Sequence, residues 1–243
     1  ITCTGDRPIA FGLCRSWMAS QIQSPDQWIV IDDGKEPIKN VEGFDYFYRE
    51  PKSGDPKHTM LLNLREAFKR IKGDYIIIIE DDEYYAPGYV RDMAELLEQY
   101  SIVGVGRSKY YHLPAQKYFA HLNMGHASLA QTAFRSDFLK EAINLLDGDS
   151  FFDIRLWRAV NGRDADFLRC QGFCRETNDR RGIVFDDKDR MLYVGMKGLP
   201  GRPGIGVGHR LFNGYSFDKD YSMLKRWIPK NYKTYVKLKE DLQ

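Results

Sequence analysis

The sequence has no apolar run long enough to span a bilayer, which takes about 20 residues. Its most apolar run, Ile76–Ile79, is short, β-branched and bounded by charge, and so reads as a buried strand. No basic-then-apolar leader opens the chain. It begins at Ile1 rather than Met, as expected of a trimmed chain, and an anchor removed with the missing segment stays compatible with that. Cysteine is scarce: Cys3, Cys14, Cys170 and Cys174 form no C-x-x-C pair, and Cys170-x-x-x-Cys174 has no second ligand pair near it, which argues against zinc. Buried free thiols are expected instead, and they fit a reducing cytoplasm. Neither sign of charge is in excess, with 36 Lys and Arg against 34 Asp and Glu. The net charge neither demands nor forbids an anionic macromolecular partner. There is no internal repeat, no low-complexity tract and no G-x-x-x-x-G-K-[ST] phosphate loop.

What is present is an ordinary globular composition, 43% hydrophobic and 29% charged over 243 residues. That length suits one large α/β domain or two small ones. A strand at Ile1–Thr4 turns through Gly5–Pro8 into a helix with apolar residues at Ala10, Leu13, Cys14, Trp17 and Met18. Asp6 is placed to cap that helix and Pro8 to open it. Further strands are expected at Trp28–Ile31, Phe44–Tyr48 and Tyr75–Ile79, with an amphipathic helix over Met60–Ile71. The alternation predicts a mainly parallel sheet with helices on both faces. Beyond it, Gly104–Gly106 reads as a strand, His126–Phe134 as a strand leading into a helix around Asp137–Leu146, and Phe151–Val160 as another helix.

In such sheets ligands bind beyond the carboxyl ends of the strands. Thr4–Arg7, Asp32–Gly34 and Glu80–Glu83 all follow predicted strands and should converge on one edge. The acidic run Glu80-Asp81-Asp82-Glu83 is the strongest of the three. Four adjacent carboxylates repel one another unless a cation or basic groups neutralise them, and oxygen ligands suit Mg2+ or Mn2+.

Three stretches together resemble the glycosyltransferase A-type (GT-A) superfamily, and particularly its family-2-like enzymes: Thr2–Pro8, Ile31-Asp32-Asp33-Gly34, and Gly73-Asp74-Tyr75 leading through the isoleucines to Glu80-Asp81-Asp82. The resemblance covers about the first 100 residues. It implies an α/β, Rossmann-type mixed sheet, mainly parallel and flanked by helices. The last stretch is similar to the superfamily's G-D-Y…D-x-D segment, with Glu80 standing where Asp is usual. It implies that Glu80 and Asp82 hold Mn2+ or Mg2+ and that Asp81 lies beside them. It also implies that Thr4, Asp6 and Arg7 line the nucleoside pocket, that Asp33 or Asp32 contacts the base, and that Asn63 faces the donor.

Two constellations lie in the second half. Lys197–Arg210 is rich in glycine and carries Lys197, Arg202 and Arg210, which could neutralise a leaving diphosphate. Its His209 resembles the late histidine that completes the metal shell in many GT-A enzymes. Asp153, at an expected helix start behind Phe151 and Phe152, is the candidate base, with a helix cap as its alternative role and Asp147 and Asp149 as rivals. His58 is expected to be a solvated helix-entry residue, and His112, His121 and His126 lack ligand spacing and read as structural. Lys225–Lys239 interleaves basic residues with Trp227, Tyr232 and Tyr235, and Arg175, Arg180 and Arg181 form a second basic cluster.

The expectation is one domain, with residues 1–105 binding a nucleotide-sugar, UDP-linked, and residues 106–243 shaping the acceptor pocket. The chain is similar to phage enzymes that glycosylate hydroxymethylated pyrimidines in DNA, and a DNA acceptor in the host cytoplasm is favoured over a cell-surface glycan or lipid-linked sugar. A sugar nucleotidyltransferase is the alternative enzyme, disfavoured because Cys3–Pro8 lacks the second glycine of its phosphate loop. A non-catalytic binding module would need no clustered carboxylates.

Overall fold

The computed structural model describes residues 1–123, 125–147, 151–161, 182–187 and 190–242. In chain order its elements are β1 (Thr2–Thr4), α1 (Pro8–Ala19), β2 (Ile29–Asp32), β3 (Asp45–Tyr48), α2 (Met60–Phe68), β4 (Tyr75–Ile77), β5 (Tyr84–Tyr85) and α3 (Tyr89–Leu97). There follow β6 (Ile102–Val105), β7 (Arg107–His112), β8 (Lys117–Leu122), β9 (Thr132–Arg135), α4 (Leu139–Leu145) and α5 (Phe152–Asn161). The chain closes with β10 (Gly182–Phe185), β11 (Tyr193–Lys197), β12 (Ser216–Phe217), α6 (Ser222–Trp227) and α7 (Tyr232–Asp241).

β1, β2 and β3 pair in parallel, and β4, β9, β6 and β10 form a second ladder in which β9 runs against its neighbours. The first residue joins the two. The Ile1 ammonium donates to the Ile77 carbonyl at 2.8 Å, and the Ile79 amide donates to the Ile1 carbonyl at 2.8 Å. One sheet therefore runs β3-β2-β1-β4-β9-β6-β10, with β9 alone reversed among these strands.

Side-chain alternation along this sheet builds a core on each face. Ile76 and Ile78 pack with Leu64, Phe68, Phe134, Phe152 and Trp157 beneath α2, α4 and α5. Ile77 and Ile79 turn the other way, towards Phe11, Met18, Tyr89 and Met93 of α1 and α3. A second sheet, β12-β8-β7-β11-β5, stands beside the first. Tyr111, Val194 and Met196 on one of its faces pack with Leu224, Trp227, Ile228 and Tyr235 of α6 and α7.

Several sequence expectations are corrected. Asp6 does not cap α1: the cap position is Arg7, no side chain bonds there, and Asp6 has a positive φ of 55°. Residues 126–131 form no strand, because Gln131 donates its side-chain amide to the Val105 and Arg107 carbonyls across a short 3-10 turn, and pairing begins at Thr132. The helix α2 stops at Phe68. Trp227 and Tyr235 are buried core residues, so neither is free to stack on a base. Arg175, Arg180, Arg181, Cys170, Cys174 and Asp149 lie outside the described residues, while Cys3 and Cys14 are buried free thiols as expected. Among the described residues no helix is long and apolar enough to cross a membrane.

Gly104 shows how tightly α5 is seated. Trp157 lies across it and donates its Nε1 to Thr132 Oγ1 at 3.1 Å on the adjoining strand. A Cβ at Gly104 would come within 2.6 Å of the Trp157 ring. Gly104→Ala is accordingly expected to cost about 1–3 kcal/mol by overpacking. A thermal melt should show Tm lower by roughly 3–10 °C.

Candidate active site

The carboxyl ends of β1 and β4, the starts of α2 and α5, the β7–β8 hairpin and the loop after β11 enclose a cavity of about 490 Å3. Thr4, Arg7, Asn63, Glu80, Asp82, Asp153, Lys197, Arg202 and His209 all reach its wall. These nine residues are far apart in sequence and are thus brought together, whereas Arg210, the third basic residue of the glycine-rich segment, is exposed and off the wall. Asp32, Asp33 and Asp81 are buried and do not reach the wall, and Asp6 is exposed and off it.

The acidic turn lies at the centre. Oxygens of Glu80, Asp82 and Glu83 lie within 4.8 Å of one another. Glu83, part of the acidic run but not singled out from sequence as a ligand, is buried and forms an ion pair with the buried Lys197 Nζ, while its second oxygen Oε2 has no hydrogen-bond partner. Asp81 turns away from the group, accepting a hydrogen bond from Thr4 Oγ1 at 2.6 Å and facing Arg7 Nη2 at 2.9 Å. The other Arg7 nitrogen, Nη1, lies 2.9 Å from Asp82 Oδ2.

Burial and crowding divide the protons of this turn. Burial, with Asp82 alongside, pushes Glu80 up to about 7. Burial also pushes Asp81 up to about 7, against the pull of Arg7. At Asp82 burial acts upward too, but Arg7, Lys197 and His209 outweigh it and hold the carboxyl below its ordinary value. His209 is pushed down to about 4 by burial and then by Lys197, against the pull of Asp82, so its imidazole is neutral near pH 7. Its Nε2 lies 3.8 Å from Asp82 Oδ2, at the edge of the carboxylate group.

These donors fit a hard divalent cation: three oxygens in reach of one another, one with no hydrogen-bond partner, and a neutral imidazole beside them. Glu80, Asp82 and Glu83 would hold it, with His209 next to Asp82.

The loop after β2 is built from its own carboxylates. Asp32 Oδ1 accepts from the Gly34 amide at 2.9 Å, and Oδ2 accepts from the Ile38 amide at 3.0 Å and Tyr46 OH at 2.7 Å. Asp32 thus fixes the loop that presents Asp33. Asp33 Oδ2 accepts from Arg49 Nη2 at 2.8 Å, and its Oδ1 pairs with Arg202 of the glycine-rich loop. Arg49 also donates to Asn63 Oδ1 at 2.6 Å and to Asp55 at 2.6 Å. Arg49 follows β3, so the strand-end rule that exposed the other loops would have found it. Asp6 is exposed, and its Oδ1 accepts from the Lys35 amide at 2.9 Å.

On the wall of the same cavity, Asp153 sits in the first turn of α5, its carboxyl pushed up by burial although the Ile154 amide and His126 act downward. Asp147, its rival, is exposed and pairs with Arg65. Tyr110, Phe119 and His121 of the β7–β8 hairpin also face the cavity, as do His126 and His58. His58, His121 and His126, read from sequence as helix-entry or structural residues, are therefore cavity residues. His112 is not among them; its Nδ1 accepts from the Ala115 amide at 3.3 Å.

Two outcomes follow. Asp32→Ala removes the acceptor of three donors and should lower stability by about 2–4 kcal/mol, read as a lower urea midpoint. At Asp33 burial alone would raise the carboxyl, yet hydrogen bonds from Arg202, Thr59 and Arg49 hold it below the ordinary range. Its contribution is present above the unfolded value of about 3.9 and is lost as pH falls through the folded value. The stability gap between wild type and Asp33→Asn should be widest at pH 5–7 and narrow below about pH 4.

The profile of the family described as "Glycosyl transferase family 2" matches residues 18–155, more than half of the chain, from α1 to the first turn of α5. No curated protein matches the chain. Among solved structures it is similar to S. aureus TarS 1-349, at 11% identity and a TM-score of 0.50, over 80% of this chain and 59% of that one. It is similar also to S. aureus TarS 1-349 in complex with UDP, at 13% identity and a TM-score of 0.50, over 81% of this chain and 59% of that one. The chain thus spans 59% of the length of these two structures, and at such identities the likeness is one of fold. Family match and fold agree with the GT-A architecture expected from the sequence. The chain belongs to glycosyl transferase family 2.

Proposed function

We propose that the chain moves a sugar from a nucleotide-sugar, UDP-linked, to an acceptor hydroxyl with the help of Mn2+ or Mg2+. One observation carries this reading: three convergent carboxylates and Asp153 open into one cavity of about 490 Å3 at the carboxyl edge of the sheet. Family membership supports the reaction class, and a similar structure holds UDP.

The geometry supports one division of labour. Thr4, Asn63 and the Asp33–Arg49–Arg202 network border the nucleoside side. When bound, the cation supplies Lewis-acid neutralisation of the diphosphate. Lys197 and Arg202 add positive charge where the departing diphosphate gathers its negative charge. Asp153 takes the acceptor proton as the hydroxyl oxygen bonds to the anomeric carbon and the bond from that carbon to the diphosphate breaks. A carboxyl raised by burial is suited to that exchange. Residues 1–105 supply most of the donor side and residues 106–243 the acceptor wall, within one domain, while Lys197, Arg202 and His209 cross back to the donor.

For the acceptor, hydroxymethylated pyrimidine in DNA is supported by the exposed Lys225, Arg226, Lys230, Lys233 and Lys237. A specific observation favours a glycan hydroxyl as the second reading. The basic helices pack on the Tyr111–Met196 face of the second sheet, whereas Tyr110, Lys197 and the aromatic wall face the cavity.

The test is UDP release from several UDP-sugars with Mn2+, with hydroxymethylated DNA, with oligosaccharides, and with neither. Release stimulated by one acceptor class is expected. Asp153→Asn should lower kcat by about 10^2-fold or more while leaving UDP and Mn2+ binding intact, and Asp82→Ala should weaken Mn2+ binding. No release in any arm, together with unchanged Mn2+ binding by Asp82→Ala, would refute the proposal.

A further inference from the structure

The acidic turn already holds a cation of its own. Arg7 reaches it from the start of α1, with Nη2 2.9 Å from Asp81 and Nη1 2.9 Å from Asp82 Oδ2. The three side chains are 12%, 0% and 7% exposed, so this fork is shielded from water. Its Nε is buried without a hydrogen-bond partner, leaving one edge of the guanidinium unused. Along its other side lies the glycine-rich loop: Gly201 has φ +115°, and a Cβ there would fall 2.7 Å from Arg7 Cγ. Asp82 Oδ2 is thus shared between Arg7 and the space that Glu80, Glu83 and His209 surround. Lys197 differs, because its ion pair is with Glu83 and both side chains are buried.

We propose that Arg7 is the resident counter-ion of the acidic turn, seated on Asp82 until a divalent cation binds and then drawn to the diphosphate of the nucleotide. The proposal rests on the metal-dependent reading above. Two positive charges at one carboxylate oxygen repel, so Arg7 and the cation compete for Asp82. A diphosphate gives the guanidinium a second anion that suits its forked geometry. Nucleotide and cation therefore strengthen each other's binding, and the coupling is reciprocal. Arg7 thus passes from Asp82 to the diphosphate, beside the Gly201 backbone that lies along its stem.

Mn2+ binding, measured from the electron paramagnetic resonance of the free ion, tests this on the full chain without nucleotide, with uridine and with UDP. Relative to wild type, Arg7→Met should bind Mn2+ at least tenfold tighter without nucleotide, and UDP should then add less than it adds in wild type. Arg7→Lys, whose single ammonium cannot span both carboxylates, should fall between the two; it decides the matter if Arg7→Met fails to fold. Mn2+ binding by the folded variants that is equal to or weaker than wild type overturns the proposal. Absence of Mn2+ binding by wild type, with and without UDP, overturns the metal reading instead, so the two failures are distinct.

Discussion

Mutual repulsion among Glu80, Asp81, Asp82 and Glu83 is the constraint on which this structure turns. Asp81, Asp82 and Glu83 are 1%, 6% and 2% exposed, a burial that isolated carboxylates do not tolerate. Arg7 arrives from α1 and Lys197 from the end of β11, and each sits on its carboxylate out of water. The two sheets must therefore meet at this point: β4 brings the acids, β1 and α1 bring one cation, and the second sheet brings the other. The cavity between them is a consequence of that meeting.

The same requirement explains the loops. Asp32 ties the turn after β2 to three donors, and that turn presents Asp33 to Arg49 and Arg202. Arg202 thus clasps the glycine-rich loop to the turn after β2, while Gly201 rests on the stem of Arg7. The charges at the cavity's edge thus also hold the glycine-rich loop in place.

Much of this was legible in the sequence because it rests on local patterns. Four isoleucines followed by four acids announce a strand facing two cores and ending at a charged edge, and Ile76 with Ile78 and Ile77 with Ile79 do divide between opposite cores. The convergence of the Thr4, Asp33 and Asp82 loops follows from strand ends sharing one edge. The rest depends on pairing between distant segments. The β7–β8 hairpin carries polar and aromatic residues on both faces, because one lines the cavity and the other meets the C-terminal helices, so it shows no clean alternation. α3 has apolar residues at Tyr89, Val90, Met93 and Leu97, but Asp92 among them is also buried and paired with Arg91 and Arg190. Trp227 and Tyr235 resembled a stacking surface in sequence and proved to be core, Tyr235 accepting a hydrogen bond from Trp17 Nε1 at 3.1 Å. Family membership, finally, sets aside the nucleotidyltransferase alternative.

The central claim is that the acidic turn holds a divalent cation where a nucleotide diphosphate binds. The most direct measurement is an anomalous difference map at the manganese edge from crystals grown with Mn2+ and UDP. A peak bound to Asp82 together with Glu80 or Glu83, touching the UDP phosphates, is the predicted result. Bound UDP with no manganese at Asp82, or with Arg7 still on Asp82 and manganese elsewhere, would contradict the account.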